Sequence, residues 1–340
     1  MSKSMTYAKA GVDIDKKSSS IAALVEHLRY KRKGFGRPID LPGHFTGLID
    51  FGDLALTMCT DGVGTKLMVA DALKKWDTVG IDCIAMNVND TICVGSEPIA
   101  FVDYIAIDKP DERITSEVGK GLEEGARQSN MTIVGGEIAV LPELVNGFDL
   151  AGTCLGVVEK KKIVTGERIR PGDALIGLPS SGIHSNGLTL ARKIFEENHV
   201  GLKEKVKGLG HSVGLELLEP TTIYVRQVLR LLERHEVHGM ANITGGGLRN
   251  LIRLKEGVGF EIDDPMKPHP IFKVMQDLGK VTNQEMYQIF NMGMGYCMVV
   301  PDKEADRIVK DAGKGAKVVG HAVKREGIRV PGLRLSYTKY

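Results

Sequence analysis

The residues best suited to chemistry fall in five short stretches. The first is Asp61-Gly-Val-Gly-Thr-Lys66, where an acidic residue closes an apolar run and two glycines precede a Thr-Lys pair at the start of a helical pattern. Glycines let backbone N–H groups approach a phosphate, a helix N-terminus favours negative charge, and a lysine can neutralise it. Asp61 could hold a metal. No G-x-x-x-x-G-K-[ST] occurs in the chain, so this is not a Walker A loop. A tight strand-to-helix turn capped by Asp61 explains the local pattern equally well.

The second stretch, Gly80–Gly95, reads as a helix that is apolar nearly all round yet carries Asp82, Asn87, Asn89 and Asp90. Asp82 and Asn89, seven residues apart, share one stripe with Asp90 on its flank. A carboxylate buried without a partner costs several kcal/mol, so either a metal or a hydrogen-bonded network must compensate. Third, Asp103-Tyr104 is expected to end one strand and Gly135-Gly136-Glu137 the next. Strand ends are where α/β sheets place ligands. With Asp61 and Asp90, these carboxylates match in kind what Mg²⁺ takes alongside nucleotide phosphates. The fourth stretch is Pro179-Ser-Ser-Gly-Ile-His-Ser-Asn-Gly-Leu188, a small-residue loop opening a helix, in which His184 could serve as general acid or base or as a substrate ligand. The fifth is Asn242-Ile-Thr-Gly-Gly-Gly247, whose glycines permit close backbone approach to a ligand or simply a sharp turn. In Phe290-Asn-Met-Gly-Met-Gly295 the methionines read as core filling.

The elements that must position these stretches alternate along the chain. A helix is expected over Ile21–Arg32 with a serine cap from Ser18–Ser20, then a hairpin turning at Phe51–Asp53. Helical pattern follows over Val63–Gly95, broken near Asp77–Thr78, with a strand at Ile99–Ile107 between two prolines. A helix at Glu112–Ser129 and strands at Met131–Gly135 and Leu150–Glu159 continue the series. The charged run Lys160–Asp173, ending in Pro-Gly, marks the expected domain boundary. Beyond it come a strand at Ala174–Leu178, helices at Gly187–Asn198 and Thr221–Glu233, and a strand at His238–Ala241.

With 340 residues, 42% hydrophobic and 26% charged, the chain suits two compact domains rather than one core. The net charge of +2 and the interleaving of basic with acidic residues argue against nucleic acid. Five isolated cysteines read as buried thiols, no run approaches the roughly 20 apolar residues of a membrane span, and MSKSMTYAKAG has no apolar signal core. A cytoplasmic enzyme is expected.

Taken in order, TYAKAGVDID, TDGVGTK, GIDCIAMNVND, GSEPIAFVDYIA, VGGEIA, SSGIHSNG, EPTTIYV, NITGGG and FNMGMG resemble the successive motifs of the phosphoribosylformylglycinamidine cyclo-ligase, or aminoimidazole ribonucleotide synthetase, family. The resemblance implies an α/β (α+β) fold: an N-terminal ATP-binding and dimerisation domain over 1–168, forming a dimeric β-barrel-like core, and a C-terminal α+β domain over 169–340 that closes the cleft. It implies ATP, Mg²⁺ and formylglycinamidine ribonucleotide as ligands, and a homodimer. ATP would lie against Asp61, Gly62, Gly64, Thr65, Lys66, Asp90, Gly135, Gly136 and Glu137, with Asp61, Asp90 and Glu137 holding the metal. The ribonucleotide would lie near Ser180, Ser181, Gly182, His184, Ser185, Asn186, Gly245, Gly246 and Gly247. His184, Lys66 and Asp103 would be catalytic, His184 as the base. The chain departs from the family where Asn242 replaces a histidine before the glycines and where Ile138 and Val140 replace threonine and glutamate after Gly-Gly-Glu. A thiamine-monophosphate-kinase-like phosphotransferase and a non-catalytic nucleotide-binding subunit are the alternatives.

Overall fold

The structure, a computed structural model, describes residues 5–7, 10–11, 14–41 and 43–339. Asp13 of the GVDID stretch lies outside them. The first half runs α1 (Ile14–His27), β1 (Pro38–Ile39), β2 (Gly47–Phe51), β3 (Leu54–Gly62), α2 (Lys66–Leu73), α3 (Val79–Thr91), β4 (Glu97–Ile107), α4 (Glu112–Ser129), β5 (Thr132–Val140) and β6 (Phe148–Glu159). Its six strands form one sheet in the order β1-β2-β3-β6-β4-β5. All neighbours are antiparallel except β4 and β5, which α4 connects as parallel strands.

One face of this sheet is covered by α3 and α4, and β6 alternates buried with half-buried side chains accordingly. Glycines set how closely the layers approach. A Cβ at Gly156 would fall 2.5 Å from Ser96 Oγ and Thr57 Oγ1, and one at Gly80 would fall 2.2 Å from the Leu122 amide of α4. The opposite face is bare: Leu54, Met58, Val102 and Tyr104 are exposed, as is Val134 on edge strand β5.

The second half runs β7 (Ala174–Pro179), α5 (Leu188–Glu197), α6 (Val213–Leu217), α7 (Val225–Leu232), β8 (Gly239–Asn242), β9 (Gly259–Glu261), α8 (Pro270–Gly279), α9 (Asn283–Ile289), β10 (Met294–Val300), α10 (Ala305–Ala312), β11 (Lys317–Val323), β12 (Gly327–Val330) and β13 (Leu335–Tyr337). Its sheet has the order β13-β12-β9-β11-β7-β10-β8. Strand β10 is buried throughout, and its Met294 is core, as expected. One large apolar cluster spans both halves, from Val79 and Ile84 to Ile183 and Phe290, and a smaller one gathers Leu48, Ala55, Val94 and Val158.

Four local expectations need correction. Helix α1 begins at Ile14, so the serines lie inside it; Ser20 Oγ donates to the Lys16 carbonyl, one turn back, rather than capping the helix. Strand β5 does not stop at Gly135 but pairs with β4 as far as Val140, because that ladder supplies the hydrogen bonds and the later residues are β-branched. Asp103 and Glu137 are therefore mid-strand, not at strand ends. Residues 221–224 are not helical, since their backbone groups bond to side chains of α3 and of the 180–187 loop, and the helix starts only at Val225.

Candidate active site between the two halves

The turn after β3 is made by Asp61, whose Oδ1 accepts from the Gly62 amide at 2.8 Å, and by Gly64 at φ +69°. It faces the second half directly. The Val63 carbonyl accepts from Ser185 Oγ at 3.0 Å, and Thr65 Oγ1 lies 3.0 Å from Thr189 Oγ1. The DGVGTK turn and the SSGIHSNG loop thus stand face to face.

Helix α3 supplies the floor. Asn87 Nδ2 donates to the Asp61 carbonyl at 3.1 Å, while its buried Oδ1 has no hydrogen-bond partner. One turn on, Asp90 Oδ1 accepts from Asn242 Nδ2 of β8 at 2.8 Å. Burial pushes the Asp90 carboxyl up to about 7, with the Asn242 hydrogen bond opposing and Asp61 adding to the shift.

The 180–187 loop is braced from several sides. Asn291 of the FNMGMG stretch takes Ser180 Oγ at 3.0 Å and donates to the Gly182 carbonyl at 2.9 Å. Asn186 Oδ1 sits where a Cβ on Gly245 would come within 3.1 Å, so the loop and the triple glycine are neighbours. Gly246 and Gly247 have φ of +112° and +53°, and a Cβ at Gly247 would meet the Tyr287 carbonyl at 2.1 Å. Both conformation and packing therefore require glycine there.

His184 also has a positive φ, +61°. Its Nε2 accepts from the Ser181 amide at 3.2 Å and the Thr222 amide at 3.5 Å, and burial drives its pKa down to about 3, with Lys66 and His269 adding. It is a neutral acceptor whose lone pair is engaged, a poor general base. Lys66 is fully buried; its Nζ donates to Asp82 Oδ1 at 2.8 Å and to the Glu219 carbonyl at 2.6 Å. That ammonium is held in a buried ion pair rather than left open to a ligand.

The carboxylates divide into two groups. Asp61 and Asp103 both pair with Gly152, from β3 and β4 on either side of β6, and so share the helix-covered face. Gly136 opposes Asp103, and a Cβ on it would lie 2.5 Å from Asp103 Oδ1; the glycine makes room for that carboxyl, which desolvation raises above its ordinary value. Glu137 pairs with Tyr104 and alternates onto the bare face, three strands from Asp61. Among the described residues no three His, Cys, Asp or Glu side chains converge as a metal cluster, so Glu137 does not join Asp61 and Asp90 within one chain.

Comparison with known proteins bears on this cleft. The family model described as AIR synthase related protein, N-terminal domain, matches residues 43–158, and the C-terminal domain model matches residues 170–332. The phosphoribosylformylglycinamidine cyclo-ligase of Methanococcoides burtonii is 50% identical over 98% of this chain and 99% of its own. That of Methanosarcina acetivorans is 50% identical over 97% and 98%. The chain belongs to the phosphoribosylformylglycinamidine cyclo-ligase family.

More distant structures share the fold with this cyclo-ligase family member. AaThiL complexed with AMPPCP and TMP superposes with a TM-score of 0.62 at 17% identity, covering 94% of this chain and 96% of its own. E. coli HypE, a hydrogenase maturation protein, gives 0.61 at 20% identity, covering 84% and 85%. The stretches DGVGTK, GIDCIAMNVND, SSGIHSNG, EPTTIYV, NITGGG and FNMGMG meet as neighbours here. Sequence reasoning missed Thr221, whose hydroxyl reaches Asp82, and Asn291; EPTTIYV and FNMGMG were the signals that held them.

Proposed function

We propose that this chain cyclises formylglycinamidine ribonucleotide to aminoimidazole ribonucleotide at the expense of ATP, within purine biosynthesis. The observation that carries this is the cleft itself: contacts from Val63 to Ser185 and from Asp90 to Asn242 set a glycine turn, two carboxylates and a glycine-rich loop around one space. Membership of the cyclo-ligase family supplies the substrate.

In this reading the formyl oxygen attacks the γ-phosphorus of ATP and the bond to ADP breaks, giving an iminophosphate. An amidine nitrogen then attacks that carbon, the C–O bond breaks, and phosphate leaves as the ring closes with loss of a proton. Phosphoryl transfer depends chiefly on alignment and charge neutralisation. The turn at Gly62, Gly64 and Thr65 receives the nucleotide, and the loop from Ser180 to Asn186 with Gly245–Gly247 orients the ribonucleotide. Mg²⁺, when bound, neutralises phosphate charge and would be held by Asp61 and Asp90, for which the unpartnered Asn87 Oδ1 beside them is a fitting oxygen neighbour. His184 holds its loop rather than moving the proton; Asp103, half-buried with a raised pKa, is suited to take it.

The chain acts as a cytoplasmic homodimer in this reading, residues 1–168 binding ATP and dimerising and 169–340 closing the cleft. The bare sheet face supports the dimer, and a second copy covering it would enclose Glu137. All five cysteines are free and buried, and among the described residues no helix is long and apolar enough to cross a membrane. The test is a colorimetric assay for aminoimidazole ribonucleotide with ATP, Mg²⁺ and the amidine ribonucleotide. Release of ADP with no aminoimidazole would overturn the assignment and favour a phosphotransferase.

A further inference from the structure

The segment Glu219–Tyr224 crosses between the two halves and is gripped at both edges. On the first-half side, Asp82 Oδ1 accepts from the Thr221 amide at 2.9 Å and from Thr221 Oγ1 at 2.5 Å, while Lys66 Nζ bonds the same oxygen and the Glu219 carbonyl. Seven residues along α3, Asn89 takes the Tyr224 amide at 3.0 Å and donates to the Thr222 carbonyl at 2.8 Å. On the second-half side, the Pro220 carbonyl accepts from Ser181 Oγ at 2.5 Å, the Thr222 amide reaches His184 Nε2 at 3.5 Å, and Tyr224 OH donates to the Pro179 carbonyl at 2.7 Å. The same six residues therefore bond α3 on one edge and both ends of the 180–187 loop's first turn on the other.

Two buried charges are costly where a packed apolar pair would serve stability as well. What the ion pair provides that an apolar pair does not is direction, since hydrogen bonds to an ionised oxygen are short and angularly defined. We propose that Lys66, Asp82 and Thr221 are positioning residues for the cyclisation: they fix the 219–224 strap, and through it the 180–187 loop, in register with the turn at 61–66. This rests on the reading that the loop orients the amidine ribonucleotide. The lysine of DGVGTK then acts on the ribonucleotide side of the cleft, through the strap, and not on the phosphates of ATP.

Thr221→Val is the informative variant, because it keeps the side chain's size and the amide bond to Asp82 and removes only the hydroxyl. Measured on the full chain, it is expected to raise KM for the amidine ribonucleotide about tenfold, the cost of one hydrogen bond to a charged group, with KM for ATP unchanged. Thr221→Ser should restore the parent value. Lys66→Met combined with Asp82→Leu leaves no buried charge unpaired and should melt cooperatively while showing the same selective rise. Equal loss against both substrates, or no loss in the folded variants, overturns the proposal. Asn186→Ala separates it from the reading beneath it. If Asn186→Ala raises the amidine KM and Thr221→Val does not, the strap has no such role; if Asn186→Ala leaves that KM unchanged, the loop is not the ribonucleotide site.

Discussion

Asp90 and His184 are both enclosed titratable groups, and burial disfavours the charged form of each, moving the pKa of Asp90 up and that of His184 down. For Asp90 the folded value of about 7 lies above the roughly 3.9 of an unfolded aspartate. Ionisation therefore opposes folding: the cost is absent below the unfolded value, grows between the two, and is complete above the folded one. Asp90→Asn should accordingly raise the melting temperature above about pH 7 and lose that advantage near pH 4, while turnover falls about 100-fold or more because a carboxylate toward the metal is gone. Melting curves across that range, set beside initial rates, check both halves of the expectation. His184, with a pKa near 3, adds no limb to the pH–rate profile between about pH 6 and 8. Asparagine tolerates the left-handed backbone and offers an acceptor, so His184→Asn should preserve the profile's shape. A limb that vanishes in this variant would show that His184 titrates during turnover.

At the scale of elements, α3 and α4 pack through glycines, and two of them separate packing from propensity. Alanine normally stabilises a helix interior by about 1 kcal/mol over glycine. At Gly119 of α4 a Cβ meets nothing within 4 Å, so Gly119→Ala should gain on the order of 0.5–1 kcal/mol in urea denaturation. At Gly80 the Cβ would be 2.2 Å from a backbone amide, and Gly80→Ala should lose about 3 kcal/mol despite the same propensity gain. The elements that sequence placed well are those with a local cause. Helix α4 carries an Asp111 cap that accepts from the Arg113 and Ile114 amides, and the β2–β3 hairpin turns on Gly52 at φ +71°. Those it misplaced depend on distant partners. Two glycines look like a strand's end, yet β5 continues because β4 lies beside it; residues 221–224 look helical, yet side chains of α3 take their backbone groups. In the candidate site, the grouping of Asp90 and the glycines about one turn follows from type and spacing, whereas the ion pair of Lys66 does not, because its partner is 16 residues away in another helix.

For the whole molecule the bare face of the first sheet is the feature that matters most. Tyr104→Glu with Val134→Glu places two charges on it, and light scattering should then find a monomer whose cyclase activity is lost while its circular dichroism is kept. A dimer that persists at full activity would show that this face is not the contact. The strap has a different consequence, for synthesis. A ribosome releases the first half well before Thr221, which lies 139 residues beyond Asp82. Until then Asp82 has only Lys66 to answer its charge, and Asn89 has neither of its backbone partners. The nascent first half therefore waits with an unfinished polar seam in its main helix, and the arrival of six residues from the second half completes it. The cleft is therefore complete only once residues 219–224 have been made.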